Sequence, residues 1–312
     1  MKNRICLCCG EPLNESIKGH YHPSCIKHFF GIKNVSQIIL NDEIEQKSIE
    51  DNIDQKNSLT GVQKKYSFTS TSFRNRKTIR SKDYQYIIKT STSRFKNLPE
   101  WEYIGMSLAS IANILTVEYA LIEYSNKYAF ITKRIDRKIS KGQIIKIQME
   151  DFAQLSNTLT HDKYKGSYER GYIDVIKKYS DTLFMDTIRY FQLIFFSYLI
   201  GNTDMHLKNF SLINEYNINH LSLSYDLLPV MMLVSQDEMA LSLNGKKKNL
   251  TKNDFRAFAS YMGLSKKLAD KLMFEITMHK NEMLTFLDNC EFFNFNLDNF
   301  KIFLKERIEK FE

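Results

Sequence analysis

The stretch "YFQLIFFSYLI", residues 190–200, is apolar on every side of a helix, and "GNTDMHLKNFSLI", residues 201–213, follows it with an Asp, a His, a Lys and two Asn. A helix without a polar stripe has to be surrounded by protein. This one is too short to span a bilayer and follows Arg189, so a buried core helix is expected and not a membrane anchor. With 312 residues, 43% of them hydrophobic, the chain can build one large domain or two modest lobes around it. The polar segment would then be held still by the bulk of the helix.

The remaining sequence divides into three parts. Residues 1–57 hold four of the five cysteines and then the polar text of residues 41–58, which reads as a linker or mobile arm. Residues 58–136 read as a small mixed α/β lobe. "YSFTSTS" and "YQYIIKTSTS" are strand-like, and "EYALIEYSNKYAFITKRID" reads as a hairpin around Ser125 and Asn126. Between them a helix begins near Pro99 and places Ile104, Leu108, Ile111 and Leu115 on one face. Residues 137–312 are mostly helical, with "MEDFAQLSNTL", "YIDVIKKYSDTLF" and "SKKLADKLMFEITMHKNEMLTFL" in helical period. Short strand candidates "FSLI", "LSLSYD" and "MALSL" lie around the opening motif. The class is α+β, a small mixed lobe followed by a helical one.

Phosphoryl transfer from ATP needs a carboxylate for the nucleophile, oxygen ligands for magnesium and a cation on the phosphates. Asp204 and Asn209 are five apart, the separation found in the protein-kinase loop H-R-D-x-x-x-x-N, and Lys208 lies between them. Asp226 in "LSYDLLP" follows where kinases keep a second metal-binding Asp, and an Asp carboxylate with an Asn carbonyl suits magnesium. Upstream, Lys89 ends the strand "YQYIIK", and Glu102 on the next helix is its natural partner. "FITKRIDR" leads out of the small lobe with Thr132, Lys133, Arg134 and Ile135 as a hinge that would hold adenine by backbone groups. Singly each has a plainer reading: a strand-end Lys is more often solvated, Asp204 fits an ordinary turn after Gly201, and Asp226 fits a turn before Pro229. The order of the residues along the chain carries the inference. One piece departs from ordinary kinases, since "SLTGVQKK" holds only Gly61 where a glycine-rich loop has several.

The N-terminal text "CLCCG" and "HYHPSC" places Cys6, Cys9, His22 and Cys25 in a CxxC plus HxxC pattern that a tetrahedral zinc would accept; a knot of buried thiols and aromatics is the alternative. Disulfides rank below both, because residues 1–10 carry no apolar signal segment and a reducing cytosol is expected. The formal charge of +8 suits acidic partners such as nucleotides, nucleic acid or an acidic protein face, although a diffuse Lys excess is more often a solvated surface.

Taken together, "SLTGVQKK", "YIIKTS", "LPEWEYIGM", "ITKRIDR", "MEDF", "GNTDMHLKNFSL" and "LSYDLLPV" resemble the HipA family of bacterial toxin kinases, whose fold is a divergent two-lobed protein kinase. The matches run from Ser58 to about Leu243, and the chain is most similar to the short HipT branch. The resemblance implies Asp204 as catalytic base, Asn209 and Asp226 as magnesium ligands, and Lys89 and Lys65 as phosphate cations, with His206 at the nucleotide and Lys208 near the transferred phosphate. Ser58 and Thr60 match autophosphorylation positions, where added phosphate would bring close to two negative charges beside Lys64 and Lys65. Lys133 stands where many members have Glu. The family further implies a protein substrate among translation components, of the aminoacyl-tRNA synthetase class. It also implies a helix-turn-helix antitoxin through which DNA is met, and a small HipS-like subunit supplying the N-terminal subdomain. A bacterial cytoplasmic protein follows, with a secreted, host-directed effector as the other possibility. Two other function classes stay open on the residues: a non-catalytic zinc or nucleic-acid-binding regulator, and a small-molecule phosphotransferase of the aminoglycoside type. The Asp-to-Asn distance counts against the latter.

Overall fold

The β-branched and aromatic stretches before residue 134 pair into one mixed sheet. The computed structural model describes residues 4–17, 19–31, 39–40, 65–73, 76–80, 85–92, 94–124, 127–140, 143–234, 237–290, 293 and 295–312. The sheet contains β1 (Ile39–Leu40), β2 (Lys65–Phe73), β3 (Arg76–Arg80), β4 (Tyr86–Lys89), β5 (Tyr119–Tyr124) and β6 (Lys127–Lys133), in the order β1-β5-β6-β4-β2-β3. Only β1 runs parallel to its neighbour. The β5–β6 hairpin forms as expected, with Tyr124 opposite Lys127; its turn residues Ser125 and Asn126 lie outside the described residues, as do Ser58, Thr60 and the rest of the polar linker.

Two compact units interleave along the chain. The first takes residues 1–107, 117–145 and 288–295, and the second takes 108–116, 146–287 and 296–312. The division near 136 expected from sequence therefore falls at 145, and two short segments cross over. In the first unit, α1 (Leu98–Ile111) buries Trp101, Glu102, Tyr103, Ile104 and Met106 along successive positions, a wider apolar surface than one stripe. Its last turn enters the second unit and stops before Leu115. Asn113 takes a left-handed conformation, φ 58°, and Ile114 N–H returns to the Ala109 carbonyl at 2.9 Å. Asn tolerates that conformation better than most residues. Leu115 thus lies beyond the helix, 55% exposed, and not on its buried face.

The Cys-rich segment packs into the first unit. Leu121 N–H donates to the Leu7 carbonyl at 2.8 Å, and the Tyr21 hydroxyl donates to the Leu121 carbonyl at 2.6 Å. Tyr86 likewise reaches the Phe29 carbonyl at 2.7 Å.

The second unit is built around α2 (Leu183–Leu199), with α3 (Lys252–Tyr261), α4 (Lys266–Thr277), α5 (Lys280–Asn289) and α6 (Asp298–Glu309). The helical-period stretch from residue 265 onward forms two helices, α4 and α5, divided at Met278 and His279. In α2, Tyr190, Phe191, Ile194, Phe195, Phe196 and Leu199 are fully enclosed, as the all-round apolar pattern requires. Each such side chain contributes about 1.5–3 kcal/mol by leaving water. Phe255 and Phe258 of α3 and Phe311 stack or meet edge-on with Phe191 and Phe195. At the other end of α2, Asp186 accepts from Ser180, Thr182 and the backbone N–H of Leu221, so this buried carboxylate is satisfied on several sides.

"MED" is not helical, as the sequence period suggests. It forms β9 (Met149–Asp151), which pairs antiparallel with β10 (Ser211–Glu215), and β10 pairs in turn with β11 (Ile218–Leu221). Strands β7 (Arg137–Ser140) and β8 (Gln143–Lys146) form a separate pair. Asp151 ends β9 and caps the following short helix, accepting from Gln154 N–H at 2.8 Å. Alternating contact with β10 overrides the weak helical period of so short a stretch.

The turn after α2 is a Schellman closure: Gly201 N–H bonds the Tyr198 carbonyl at 3.2 Å and Asn202 N–H the Ser197 carbonyl at 2.9 Å. Gly201 sits at φ 69°, and a Cβ there would meet Met231 Cβ at 3.1 Å and Phe303 at 3.2 Å. Gly201→Ala is expected to destabilise the protein by about 1–3 kcal/mol, read as a lower denaturant midpoint with unchanged slope.

Candidate active site

The segment that leaves Gly201 is closed by its own side chains. Asn202 is fully buried; its Oδ1 accepts from Asp204 N–H at 3.3 Å and its Nδ2 donates to the Asp226 carbonyl at 3.3 Å. One side chain thereby ties the Asp204 loop to the turn that carries Asp226, which is left-handed at φ 56°. Asn209, at the end of a short turn (Leu207–Asn209), donates from Nδ2 to the Asp204 carbonyl at 2.8 Å. This bond orients the amide, so Oδ1 is the atom Asn209 has to offer a cation. The outer carbonyls are also held: the Tyr168 hydroxyl donates to Met205 at 3.0 Å and that of Tyr225 to Lys208 at 3.4 Å.

The Asp204 carboxylate itself is 44% exposed and accepts a short hydrogen bond from the Tyr164 hydroxyl. Burial, then this bond and the Asp204 charge, push the Tyr164 hydroxyl well above its usual range, so it remains a donor. The Tyr164 ring stands edge-on to His206 at 4.9 Å. His206 is buried, with Nε2 3.9 Å from Asp204, and its Nδ1 has no hydrogen-bond partner among the described residues. Lys208 is engaged elsewhere, 3.3 Å from the Asp151 carboxylate at the end of β9.

In the first unit, Lys89 ends β4 and its Nζ lies 2.5 Å from Glu102 of α1, with both side chains buried. Lys65, first in β2, is the register partner of Lys89. Within the hinge stretch, Lys133 N–H donates to the Glu118 carbonyl at 2.9 Å and Arg134 N–H to the Gln85 carbonyl at 2.7 Å. These backbone donors, expected for adenine, are therefore used within the unit. The Thr132 hydroxyl also reaches the Glu118 carbonyl, the Lys133 ammonium pairs with the Glu118 carboxylate at 2.9 Å, and Arg134 forms a two-pronged pair with Asp136. Ile135 follows, half-buried. Cys6, Cys9, His22 and Cys25 come together in the same unit, and all five cysteines are free thiols.

Residues 57–283 match the HipA-like C-terminal domain. The chain belongs to that family. Among curated relatives, "Putative kinase Y4dM" of Sinorhizobium fredii is 31% identical over 201 residues, 59% of this chain and 47% of that protein. A "Putative kinase" of Haemophilus influenzae is 24% identical over 231 residues, 64% of this chain and 66% of that protein. The chain thus spans roughly half to two thirds of the length of these relatives. The fold is that of HipA from Shewanella oneidensis, solved with HipB and its operator DNA: TM-score 0.64, 19% identity, 87% of this chain and 69% of that one. It is also that of the Helicobacter pylori proinflammatory kinase CtkA, with TM-score 0.57, 17% identity, 82% of this chain and 91% of that one. The architecture is accordingly the divergent protein-kinase fold.

Sequence reading did not find Tyr164, Asn202 or Asp151. Asn202 had a signal, as the buried polar residue directly after a helix-ending glycine. Tyr164 had none, being forty positions from Asp204.

Burial holds the His206 ring below the usual histidine range, the Asp204 charge opposes this, and Lys163 adds to it. The stability that the neutral ring contributes is present above the ordinary value of about 6.5 and is lost as pH falls below it. Ring-proton NMR is expected to show His206 titrating below that value, and lower still in Asp204→Asn, where the opposing charge is gone.

Proposed function

We propose that this protein is an ATP-dependent Ser/Thr protein kinase of toxin type. The observation that carries the reading is the Asp204 loop, in which Asn209 is locked onto the Asp204 backbone while the Asp204 carboxylate accepts a hydroxyl. A Ser or Thr of a substrate would present the same kind of donor that Tyr164 presents now, and Asp204 would orient it and take its proton. The donor set of Asp226 carboxylate and Asn209 carbonyl oxygen fits magnesium, which when bound neutralises charge on the phosphates. Lys89, held by Glu102, is the cation for the phosphates, with Lys65 beside it in register. The unpartnered Nδ1 of His206 is a hydrogen-bonding position for the nucleotide. Lys208, paired with Asp151 in this structure, is proposed as a cation for the transferred phosphate.

Membership of the HipA-like family supports a translation component, such as an aminoacyl-tRNA synthetase, as substrate. It also supports autophosphorylation at Ser58 or Thr60 and restraint by a helix-turn-helix antitoxin that carries the DNA contact. A HipT-like arrangement with a small HipS-like subunit is part of the same proposal, as is action in the bacterial cytoplasm. No helix among the described residues is long and apolar enough to cross a membrane.

Incubation with labelled ATP and magnesium is expected to label the protein at Ser58 or Thr60, and Asp204→Gln to lower the rate by about 10²–10⁴-fold with nucleotide binding retained. Failure of the wild type to bind ATP would sink the proposal, and transfer to aminoglycosides in place of protein hydroxyls would move it to the small-molecule class. Glu102→Gln is expected to weaken ATP binding as well as the rate, because Lys89 then loses its counter-charge. It is also expected to lower stability, because the buried Lys89–Glu102 ion pair is lost. Nucleotide titration and denaturant melts measure the two effects separately.

A further inference from the structure

We propose that Cys6, Cys9, His22 and Cys25 hold one zinc ion, and that this ion fastens the N-terminal segment to the helix carrying Glu102. The site is independent of the kinase reading.

The four ligand atoms lie within 4.8 Å of one another. A tetrahedral zinc with bonds of about 2.3 Å to sulfur and about 2.0 Å to nitrogen has edges of about 3.5–3.8 Å between its ligand atoms. The Cys9 Sγ to His22 Nδ1 separation is 3.3 Å and the Cys25 Sγ to His22 Nδ1 separation is 4.0 Å, on either side of that edge. The cluster would seat an ion by closing its wider separations by up to about 1 Å.

The histidine is set in the ligating tautomer. His22 Nε2 lies 3.1 Å from the Pro12 carbonyl, which can only accept, so Nε2 carries the proton and Nδ1 presents its lone pair to the thiols. A metal-binding histidine is commonly held this way, its second nitrogen donating to a carbonyl. The backbone is arranged to the same end. Gly10 N–H bonds the Cys6 carbonyl at 2.9 Å with Gly10 at φ 77°, which folds the CxxC turn back on itself. His22 N–H points at Cys6 Sγ, 3.4 Å away, as backbone amides do toward metal-bound thiolates. Pro23 then starts the short turn that returns Cys25 to the cluster.

Cys8 lies between two of these ligands in sequence and borders the cluster through Cys25, while its Sγ donates to the Tyr119 carbonyl at 3.8 Å. Cys6, Cys9, His22 and Cys25 are the set whose ligand atoms all converge, and Cys8 stands at its edge. Three sulfurs and one imidazole, closed by four protein ligands, suit a structural zinc over the hard cations that oxygen ligands take.

The ion's place in the fold gives its role. The Cys6 carbonyl accepts from the Tyr103 hydroxyl at 3.1 Å, and Tyr103 is the neighbour of Glu102 in α1. Leu7, between the ligands, pairs with Leu121 of β5. A segment this short has too little core to hold its own shape, so a metal crosslink is the device that keeps it docked.

Metal analysis of the full chain purified without chelator is expected to give about one zinc per chain, falling below about a fifth in Cys9→Ser and staying near one in Cys8→Ser. Cobalt substitution of the wild type is expected to give the ligand-field and thiolate charge-transfer bands of a tetrahedral sulfur-rich site. This readout decides the matter even if Cys9→Ser does not fold. Chelation is expected to lower the thermal midpoint of the wild type and not of Cys9→Ser. Wild-type protein without zinc and without such cobalt bands would overturn the proposal, as would Cys9→Ser retaining a full equivalent.

Discussion

The burial of α2 is the constraint on which the second unit depends. Its aromatic side chains have no polar face to give to water, so α3, the chain end at Phe311 and the β10 region close around it. Arg307 of α6 completes the enclosure by adding a second donor, at 2.7 Å, to the Tyr198 carbonyl that already accepts from Gly201 N–H. A rigid helix end then meets a glycine that can turn left-handed, and the polar segment that follows inherits a fixed starting point. The Asp204 carboxylate is exposed, but the backbone around it is tied by Asn202, Asn209 and Tyr168.

The loop shows how polar side chains can do structural and chemical work together. Asn202 and Asn209 spend their amide nitrogens on the carbonyls of Asp226 and Asp204, and so fix the backbone of both segments. Buried amides left without such partners would cost more than the bonds return. In the first unit the corresponding element is the Lys89–Glu102 pair. Its two charges are costly to bury, and each offsets the other's cost.

Much of the candidate site was legible because its determinants are local. The Asp204-to-Asn209 distance, the strand ending in Lys89 and the helix start at Pro99 are short-range patterns, and the Lys89–Glu102 partnership followed from adjacent elements. Other features were misread or missed for identifiable reasons. "MED" has a helical period over too few residues to resist pairing with β10, and the helix of Glu102 ends early because Asn113 accepts a left-handed turn. Lys208 was placed by its position between Asp204 and Asn209, whereas the β9–β10 pairing brings Asp151 to it.

By itself the sequence determined that residues 190–200 form a buried helix, that the chain turns at Gly201, and which residue types stand ready beyond it. Helical period and glycine chemistry act over a few residues and need no partner to be read. Tertiary structure alone decided that Tyr164 covers Asp204, that Asn202 joins the Asp204 loop to Asp226, and that Cys6, Cys9, His22 and Cys25 come together. Those contacts join positions far apart in the chain or choose among equivalent neighbours, and only the packing of the enclosed core sets which side chains meet.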